Sequence, residues 1–291
     1  MKHGAFLLAS LVAASGSPAV AQGPPDHPAV IVDGLTYTPA SILARNMGSA
    51  EDQETAFPPH RIVGNIYYVG TRTLSSFLVV TPLGHILLDT TYERNAGVIK
   101  NSVEQLGFKF EEIKIVLGNH AHSDHQEGDA LVKRMTGAQV MAMADDVPML
   151  QAMKPGGKEH TIDRVLHDGD TVTLGGTTLV AHLTGGHTPG ATTWTMKASE
   201  GGKNYEVVFF TSLRVGAAVT PALAAAFDRS FALVRTLPCD VPLGDHPAEY
   251  RMQEKYAKVQ AGAPNPFVDK PGCLTEARIQ EAMYRAVAAE K

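Results

Sequence analysis

A chain of 291 residues, 44% of them apolar, is long enough to bury a large core in one domain or two. The net charge is -5 and the Lys and Arg residues are scattered. The chain therefore has neither the basic stripe that nucleic-acid binding needs nor a polybasic patch for anionic lipid. Nucleic acid and membrane are excluded as partners on this basis, and a monomer is expected.

Residues 1–21 read as an export signal. Lys2 and His3 precede an apolar run from Ala5 to Ala14, and Ala19-Val20-Ala21 follows as a small-x-small cleavage site. The run is too short to cross a bilayer. The mature chain is expected to begin after cleavage near Ala21-Gln22, in a bacterial periplasm. Residues 22–57, rich in Pro, Ala and polar side chains, are expected to form an arm over the domain with one short helix. Residues 58–291 are expected to be a single domain.

From His60 the pattern turns to short β-branched and aromatic runs between Gly and Pro turns: 61–69, 75–80 and 85–89. Helical spacing follows over 95–106 (Val98, Ile99, Val103, Leu106), ending at Gly107. Strand 113–117, helix 127–136, strand 138–143 and helix 144–153 come next. After a Pro- and Gly-containing loop (153–162), strands are predicted at 163–167, 171–174, 177–183, 192–197 and 205–211. A helix over 220–237, a strand over 239–243, and helices over 249–260 and 276–289 complete the chain. Strands followed by helices thus occur twice, around 60–155 and 163–260. That order predicts an α/β fold, a four-layer αβ/βα sandwich, with its site where the loops of the two halves meet.

Between the strand 113–117 and the next helix lies His120-Ala121-His122-Ser123-Asp124-His125. With 12 histidines in the chain, chance would give such a pattern on the order of once in a thousand sequences. Imidazole and carboxylate are the ligands that borderline divalent ions such as zinc prefer. His120 and His122, on alternate residues, can face one ion while Asp124 and His125 turn toward a second. One turn cannot complete two sites, so further ligands are needed. His187 follows the strand 177–183 and His246 follows the strand 239–243, both in Gly- and Pro-containing turns. On spacing alone each is either a ligand or a plain loop histidine. Asp89, ending an apolar strand, reads either as a support for the histidine turn or as a turn stabiliser. The other histidines, His60, His85, His160, His167 and His182, read as packing or surface residues; among them His160, in the loop 153–162, has the best remaining chance of touching substrate. The two cysteines, Cys239 and Cys273, lie in the exported part, where an even count favours one disulfide.

The hexapeptide matches the H-x-H-x-D-H signature of the metallo-β-lactamase superfamily, and its surroundings resemble the subclass B3 branch. The resemblance is carried by Asn65–Gly70, Leu74–Phe77, Gly84–Tyr92, Asp168–Trp194 and Asn265–Cys273, and it covers about residue 57 to the C-terminus. It implies a di-metal site at the edge between two β-sheets, with a first zinc on His120, His122 and His187. A second zinc falls to Asp124, His125 and His246. It also implies that the Cys239–Cys273 disulfide braces the loop carrying His246. The implied reaction is hydrolysis of the amide bond of penicillins, cephalosporins and carbapenems by a zinc-activated hydroxide, giving antibiotic resistance. Asp124 is the expected catalytic carboxylate, passing a proton toward the leaving nitrogen.

Ser212 stands where related hydrolases carry a bridging aspartate or a cysteine ligand, and it resembles the branch's binder of the substrate carboxylate. Arg214, where the branch often has a small hydroxyl residue, reads either as a bidentate partner of that carboxylate or as a plain surface arginine. The stretch 215–227 has no tyrosine, so oxyanion stabilisation from that loop is not expected. Two other readings compete: a hydrolase of the same superfamily acting on a lactone or thioester, and a non-catalytic periplasmic zinc-binding protein. Ser212, the paired cysteines and the export signal favour the lactamase. Asp124 argues against storage, for which three histidines suffice.

Overall fold

Short β-branched runs need cross-strand partners, and here they find them in three sheets. The computed structural model describes residues 28–216 and 219–290, so the expected export signal lies outside the described residues. A small hairpin, β1 (Val30–Val32) and β2 (Leu35–Tyr37), opens the chain. A seven-stranded sheet follows, its strands lying side by side in chain order. These are β3 (His60–Val63), β4 (Ile66–Tyr68), β5 (Phe77–Thr81), β6 (Gly84–Leu88), β7 (Ile113–Leu117), β8 (Gln139–Met143) and β9 (Arg164–Leu166). Pairing is antiparallel from β3 to β6 and parallel from β6 to β9. The third sheet has five strands: β10 (Thr171–Leu174), β11 (Thr177–Leu183), β12 (Thr192–Glu200), β13 (Lys203–Phe210) and β14 (Val241–Gly244). Only its last pair, β13 with β14, is parallel.

Eight α-helices complete the described residues: α1 (Pro39–Met47), α2 (Ala96–Gln105), α3 (Ser123–Gln126), α4 (Asp129–Thr136), α5 (Val147–Met153), α6 (Pro221–Val234), α7 (Met252–Gln260) and α8 (Thr275–Ala289). The period of two along each strand builds the layers. Phe77, Val79, Ile86, Leu88, Ile115 and Leu117 face Leu179, Ala181, Trp194, Met196, Val207 and Phe209 across the gap between the large sheets. The alternate residues Leu78, Leu87, Val116 and Val140 turn outward onto Ile99 and Val103 of α2 and Val132 of α4. Phe227 and Phe231 of α6 pack with Ile279, Met283 and Tyr284 of α8, and Ile42 of α1 joins that cluster. The result is the expected order of helix, sheet, sheet, helix. Strands covered on both faces read as nearly unbroken apolar runs, as β7 does in Ile113-Lys114-Ile115-Val116-Leu117.

Three expectations are corrected. The run 61–69 is a hairpin, β3 and β4, rather than one strand. Gly64 breaks it at φ +54°, in a turn whose close approach to the Ser199 carbonyl leaves 2.8 Å for any Cβ. The strand 163–167, expected to open the second half, is β9. It adds parallel to β8 through Met141↔Arg164 and closes the first sheet, so the second half begins at β10. The arm holds α1 as expected, but also β1 and β2, whose three-residue strands are too short to show alternation. α1 itself is set by Thr38 and Ser41, which cap each other's backbone N–H, with Pro39 at its first position.

Cys239, just before β14, is bonded to Cys273, just before α8, with the Cα atoms 6.1 Å apart. The bridge ties the strand that leads to His246 to the layer of α8. By loop-closure entropy, cross-links over a sequence separation of 34 are worth roughly 3–4 kcal/mol. Paired substitution Cys239→Ser with Cys273→Ser should lower the unfolding free energy in urea by about that amount; an unchanged midpoint would show that the fold does not depend on the bridge.

Candidate metal centre

The expected metal ligands, together with Asp89 and Ser212, follow the C-terminal ends of strands. The hexapeptide follows β7, His187 follows β11, Ser212 follows β13 and His246 follows β14, while Asp89 follows β6. The parallel pairs β6–β7 and β13–β14 put their ends together, and two antiparallel steps bring the end of β11 to that of β13. Loops of both sheets therefore meet along one edge, as expected from the two halves.

There the rings of His120, His122 and His187 form a nearly equilateral triangle, with centroids 4.7–4.8 Å apart and planes 81–88° to one another. Beside it, His125 and His246 stand 5.0 Å apart at 86°, with Asp124 Oδ2 lying 3.3 Å from His125 Nε2 and 3.8 Å from His246 Nε2. In each trio the candidate ligand atoms all lie within 4.8 Å of one another. Four ligands at about 2.0–2.2 Å around a tetrahedral zinc would themselves be about 3.3–3.6 Å apart, so the second trio is already close to that spacing. The rings of His120 and His125 are 4.2 Å apart and join the two groups.

The protonation pattern fits a cation. His187 Nδ1 donates to the Arg214 carbonyl at 2.8 Å, and His246 Nδ1 to the Thr73 carbonyl at 3.0 Å. His125 Nδ1 faces Asp89 Oδ2 at 3.3 Å, and His120 Nδ1 faces Asp245 Oδ2 at 3.2 Å. With each Nδ1–H so engaged, the Nε2 lone pair is left to face the centre. Burial, reinforced by the charge of His125, holds the His120 imidazole down to about 3. Burial likewise lowers His122, His187 and His246, so these rings are neutral at pH 7 and able to ligate. His125 behaves in the opposite sense. Burial favours its neutral form, but Asp124 and then Asp89 override this and raise it well above the usual imidazole value. Its buried Nε2 points at the Asp124 carboxylate, so in the raised, protonated form the N–H faces that oxygen. Without that proton two lone pairs would face each other at 3.3 Å and need another positive charge between them, so the donor set fits a divalent ion.

Supporting carboxylates hold the loops. Asp89 accepts the Asn119 N–H at 2.7 Å and stands against His125, so of its two readings the support for the histidine turn matches the structure. It does so at φ +61°, a conformation costly for a residue other than glycine, and burial raises its carboxyl to about 6. Sequence reasoning missed Asp146 and Asp245. Asp146, 2% exposed, accepts from Ala121 N at 2.9 Å, Thr188 Oγ1 at 2.7 Å and Gly190 N at 2.7 Å, clamping the hexapeptide to the His187 loop. Gly190 is obligatory in this clamp, since a Cβ would lie 2.5 Å from the Asp146 backbone nitrogen. Asp245 accepts the Ser212 N–H at 2.6 Å as well as facing His120. Its position beside His246 was the one available signal.

A cavity of about 150 Å³ opens onto His120, His122, Asp124, His187 and His246. Ser212 and Arg214 also line it, and Leu43, Asn46 and Met47 of α1 complete the wall. Arg214 is half-buried, and among the described residues no carboxylate pairs with its guanidinium. His160 is not at this cavity. It is buried with Nε2 2.9 Å from the Gln126 carbonyl and 3.3 Å from Asp129, bracing the base of α4 as a packing residue, away from any substrate. A larger groove of about 820 Å³ lies over β11 and β12 between Arg61, Lys197 and Glu206, but holds none of these imidazoles.

Replacing Asp146 by Ala would strand three buried donors at roughly 1–3 kcal/mol each. The Asp146→Ala variant, stripped of metal, should lose about 3 kcal/mol or more of unfolding free energy in urea; a midpoint equal to that of the parent would mean the clamp carries no energy.

Comparison with known proteins agrees with this geometry. The family model of the metallo-β-lactamase superfamily matches residues 69–199. The native FEZ-1 metallo-β-lactamase of Legionella gormanii is 41% identical, over 80% of this chain and 96% of that one, with a TM-score of 0.75. BJP-1, a subclass B3 metallo-β-lactamase of Bradyrhizobium japonicum, is 37% identical over 81% of this chain and 95% of its own, also at 0.75. LRA-12, a class B3 di-zinc metallo-β-lactamase from an Alaskan soil metagenome, is 28% identical over 82% and 97%, at 0.75. A paired-sheet fold whose strand ends bring these imidazoles together, matched along nearly the whole of such relatives, places the chain in the metallo-β-lactamase superfamily, within its subclass B3.

Proposed function

We propose that this protein hydrolyses the amide bond of β-lactams (penicillins, cephalosporins and carbapenems) and so confers antibiotic resistance from the periplasm. The observation that carries this reading is the pair of adjoining ligand trios with an unpaired guanidinium at the rim of the same cavity. The relatives whose names describe them as metallo-β-lactamases support it. His120, His122 and His187 would hold a first zinc, and Asp124, His125 and His246 a second. Bound there, the pair supplies Lewis acidity, lowering the pKa of water toward 7 and polarising a carbonyl oxygen.

The protein's own groups do the rest. The Asp124 carboxylate, 14% exposed and held between His125 and His246, is the one ligating group at the cavity able to take a proton from the attacking water. As the C–N bond breaks, that proton passes to the ring nitrogen while the hydroxyl remains on the carbonyl carbon, so water is consumed and no covalent enzyme intermediate forms. Arg214 meets the carboxylate that β-lactams carry beside this nitrogen, and the Ser212 hydroxyl stands next to it. Leu43 and Met47 exclude water from one wall. No helix among the described residues is long and apolar enough to cross a membrane.

The zinc-loaded protein should open a chromogenic cephalosporin, lose that activity to a chelator and regain it with added zinc. A loaded protein that opens acyl-homoserine lactones or thioesters but leaves all three β-lactam classes intact would refute the substrate assignment. Asp124→Ala should lower kcat by about 10²–10⁴-fold while retaining zinc on the three histidines, and unchanged turnover would remove Asp124 from its role.

A charge-assisted hydrogen bond is worth about 1.5–3 kcal/mol. Arg214→Ala should therefore raise KM by roughly 10–100-fold for β-lactams bearing the carboxylate, with a much smaller change for their esters. Equal effects on acid and ester would show that Arg214 does not read that group.

A further inference from the structure

Arginines far apart in the sequence meet in the fold, away from the imidazoles. Arg45 of α1, Arg72 between β4 and β5, and Arg251 between β14 and α7 line one cavity of about 200 Å³. This cavity shares no lining residue with the one over the metal centre. Thr73 and Pro247 form part of its wall, so it backs onto the loop that carries His246.

Each arginine is fixed at its root. The Arg72 N–H donates to the Thr55 carbonyl at 3.0 Å, and the Arg72 carbonyl accepts from Gln253 Nε2 at 3.3 Å. The Arg251 carbonyl accepts from Lys255 N at 3.0 Å, the first bond of α7. Arg45 is helical, and its Nε donates to Asn46 Oδ1 at 3.0 Å. Among the described residues each guanidinium gives hydrogen bonds to a single carboxylate. Arg45 reaches Glu276 at 2.6 Å, Arg72 reaches Asp52 at 3.3 Å, and Arg251 reaches Asp269 at 3.0 Å. None of these three acids lines the cavity. They hold the side chains from outside and leave part of each five-donor fork unused. Glu254, the acid that does line it, is engaged by Lys258 at 2.6 Å and stands 3.9 Å from Arg251. The wall therefore sets three positive charges against one negative.

Planar guanidinium forks match the oxygens of a phosphate group, and their convergence on one concave site is a common way of recognising it. The volume is several times the share of about 30 Å³ that one water molecule takes, enough for a four-oxygen anion with part of its hydration. A carboxylate, with two oxygens and one charge, would leave donors of the three forks unused. We propose that this cavity is a binding site for a phosphate group, held by Arg45, Arg72 and Arg251. The site is separate from the metal centre and independent of the substrate assigned to it.

The test titrates the zinc-loaded full-length protein calorimetrically with inorganic phosphate, ionic strength being held with chloride, and sediments it with phosphatidylglycerol vesicles. Saturable binding is expected in the parent. Arg72→Gln and Arg251→Gln should each weaken it about tenfold, the lower end for loss of a charge-assisted hydrogen bond, because about half of each side chain is solvated. Lys197→Gln, which removes an exposed charge from the groove over β11 and β12, should leave it unchanged. Binding of inorganic phosphate alone supports the site with a solution anion as its ligand. Vesicle binding lost in the same two variants supports it with a lipid headgroup as the source. No saturable binding of either probe overturns the proposal. So does binding that both arginine variants keep, which would put the anion elsewhere, at the zinc ions included. Equal weakening by Lys197→Gln would reduce the effect to net charge and overturn it too. Arg251 holds a backbone of φ +55° at the entry to α7, so if its variant does not fold, Arg72→Gln alone decides the outcome.

Discussion

Lone pairs pressed together in a dry site need a positive charge, and much of this structure follows from that requirement. His125 Nε2 and Asp124 Oδ2 lie 3.3 Å apart at the buried edge of two sheets, with His246 Nε2 3.8 Å from the same oxygen. Without a cation, such an arrangement must bind a proton, which is why His125 is raised while the neighbouring rings are lowered by burial. A divalent ion satisfies the same donors with more charge and a directional geometry. The folded chain thus carries an electrostatic deficit that metal binding relieves, and binding free energy becomes folding free energy.

The sandwich supplies the rigidity that such an arrangement needs. The hexapeptide and His246 are anchored at strand ends whose side chains are buried on both faces, as at Leu117 and Leu243. Between loops the anchoring passes to carboxylates. Asp146 joins the hexapeptide to the His187 loop, Asp245 joins His120 to Ser212, and Asp89 stands under His125. The positive φ of Asp89 is strain of about 1–3 kcal/mol, kept in place by the Asn119 N–H donated to its carboxylate and by its own N–H donated to the Leu117 carbonyl. Precision at the centre therefore comes from groups that are not ligands.

What the chain discloses by itself depends on how local each interaction is. The hexapeptide is legible because its donors sit within six residues, and β7 because a strand buried on both faces is an apolar run. His187 and His246 stand out less, as strand-end histidines beside Gly and Pro, and needed the resemblance to join the others. Asp146 gave no signal, since its partners Ala121 and Gly190 lie 25 and 44 residues away and an acid in a helix-opening turn looks like a cap. His160 shows the converse. Its Gly- and Pro-containing loop suggested a mobile group, but Asp129 and the Gln126 carbonyl, both from the helix side of the site, draw it into the interior. The hairpin at Gly64 was hidden because the apolar run continues across it, and only the backbone sign of φ marks the turn.

Charge balance connects the ligand set to the substrate proposed for it. Asp89, Asp124 and Asp245 bring three negative charges against the imidazoles, while Arg214 brings one positive charge at the cavity wall. Two divalent ions added to this set leave two positive charges over. On the proposed reading, a hydroxide and a substrate carboxylate would offset that excess, which favours a small anionic amide over a neutral ester. On that reading Arg214 would be decisive in the balance: burial opposes its charge, Asp124 and its neighbours favour it only from beyond ion-pair distance, and a substrate carboxylate would pair with it directly. A neutral lactone would leave that guanidinium unanswered, which is the physical ground for preferring a carboxylate-bearing substrate at this centre.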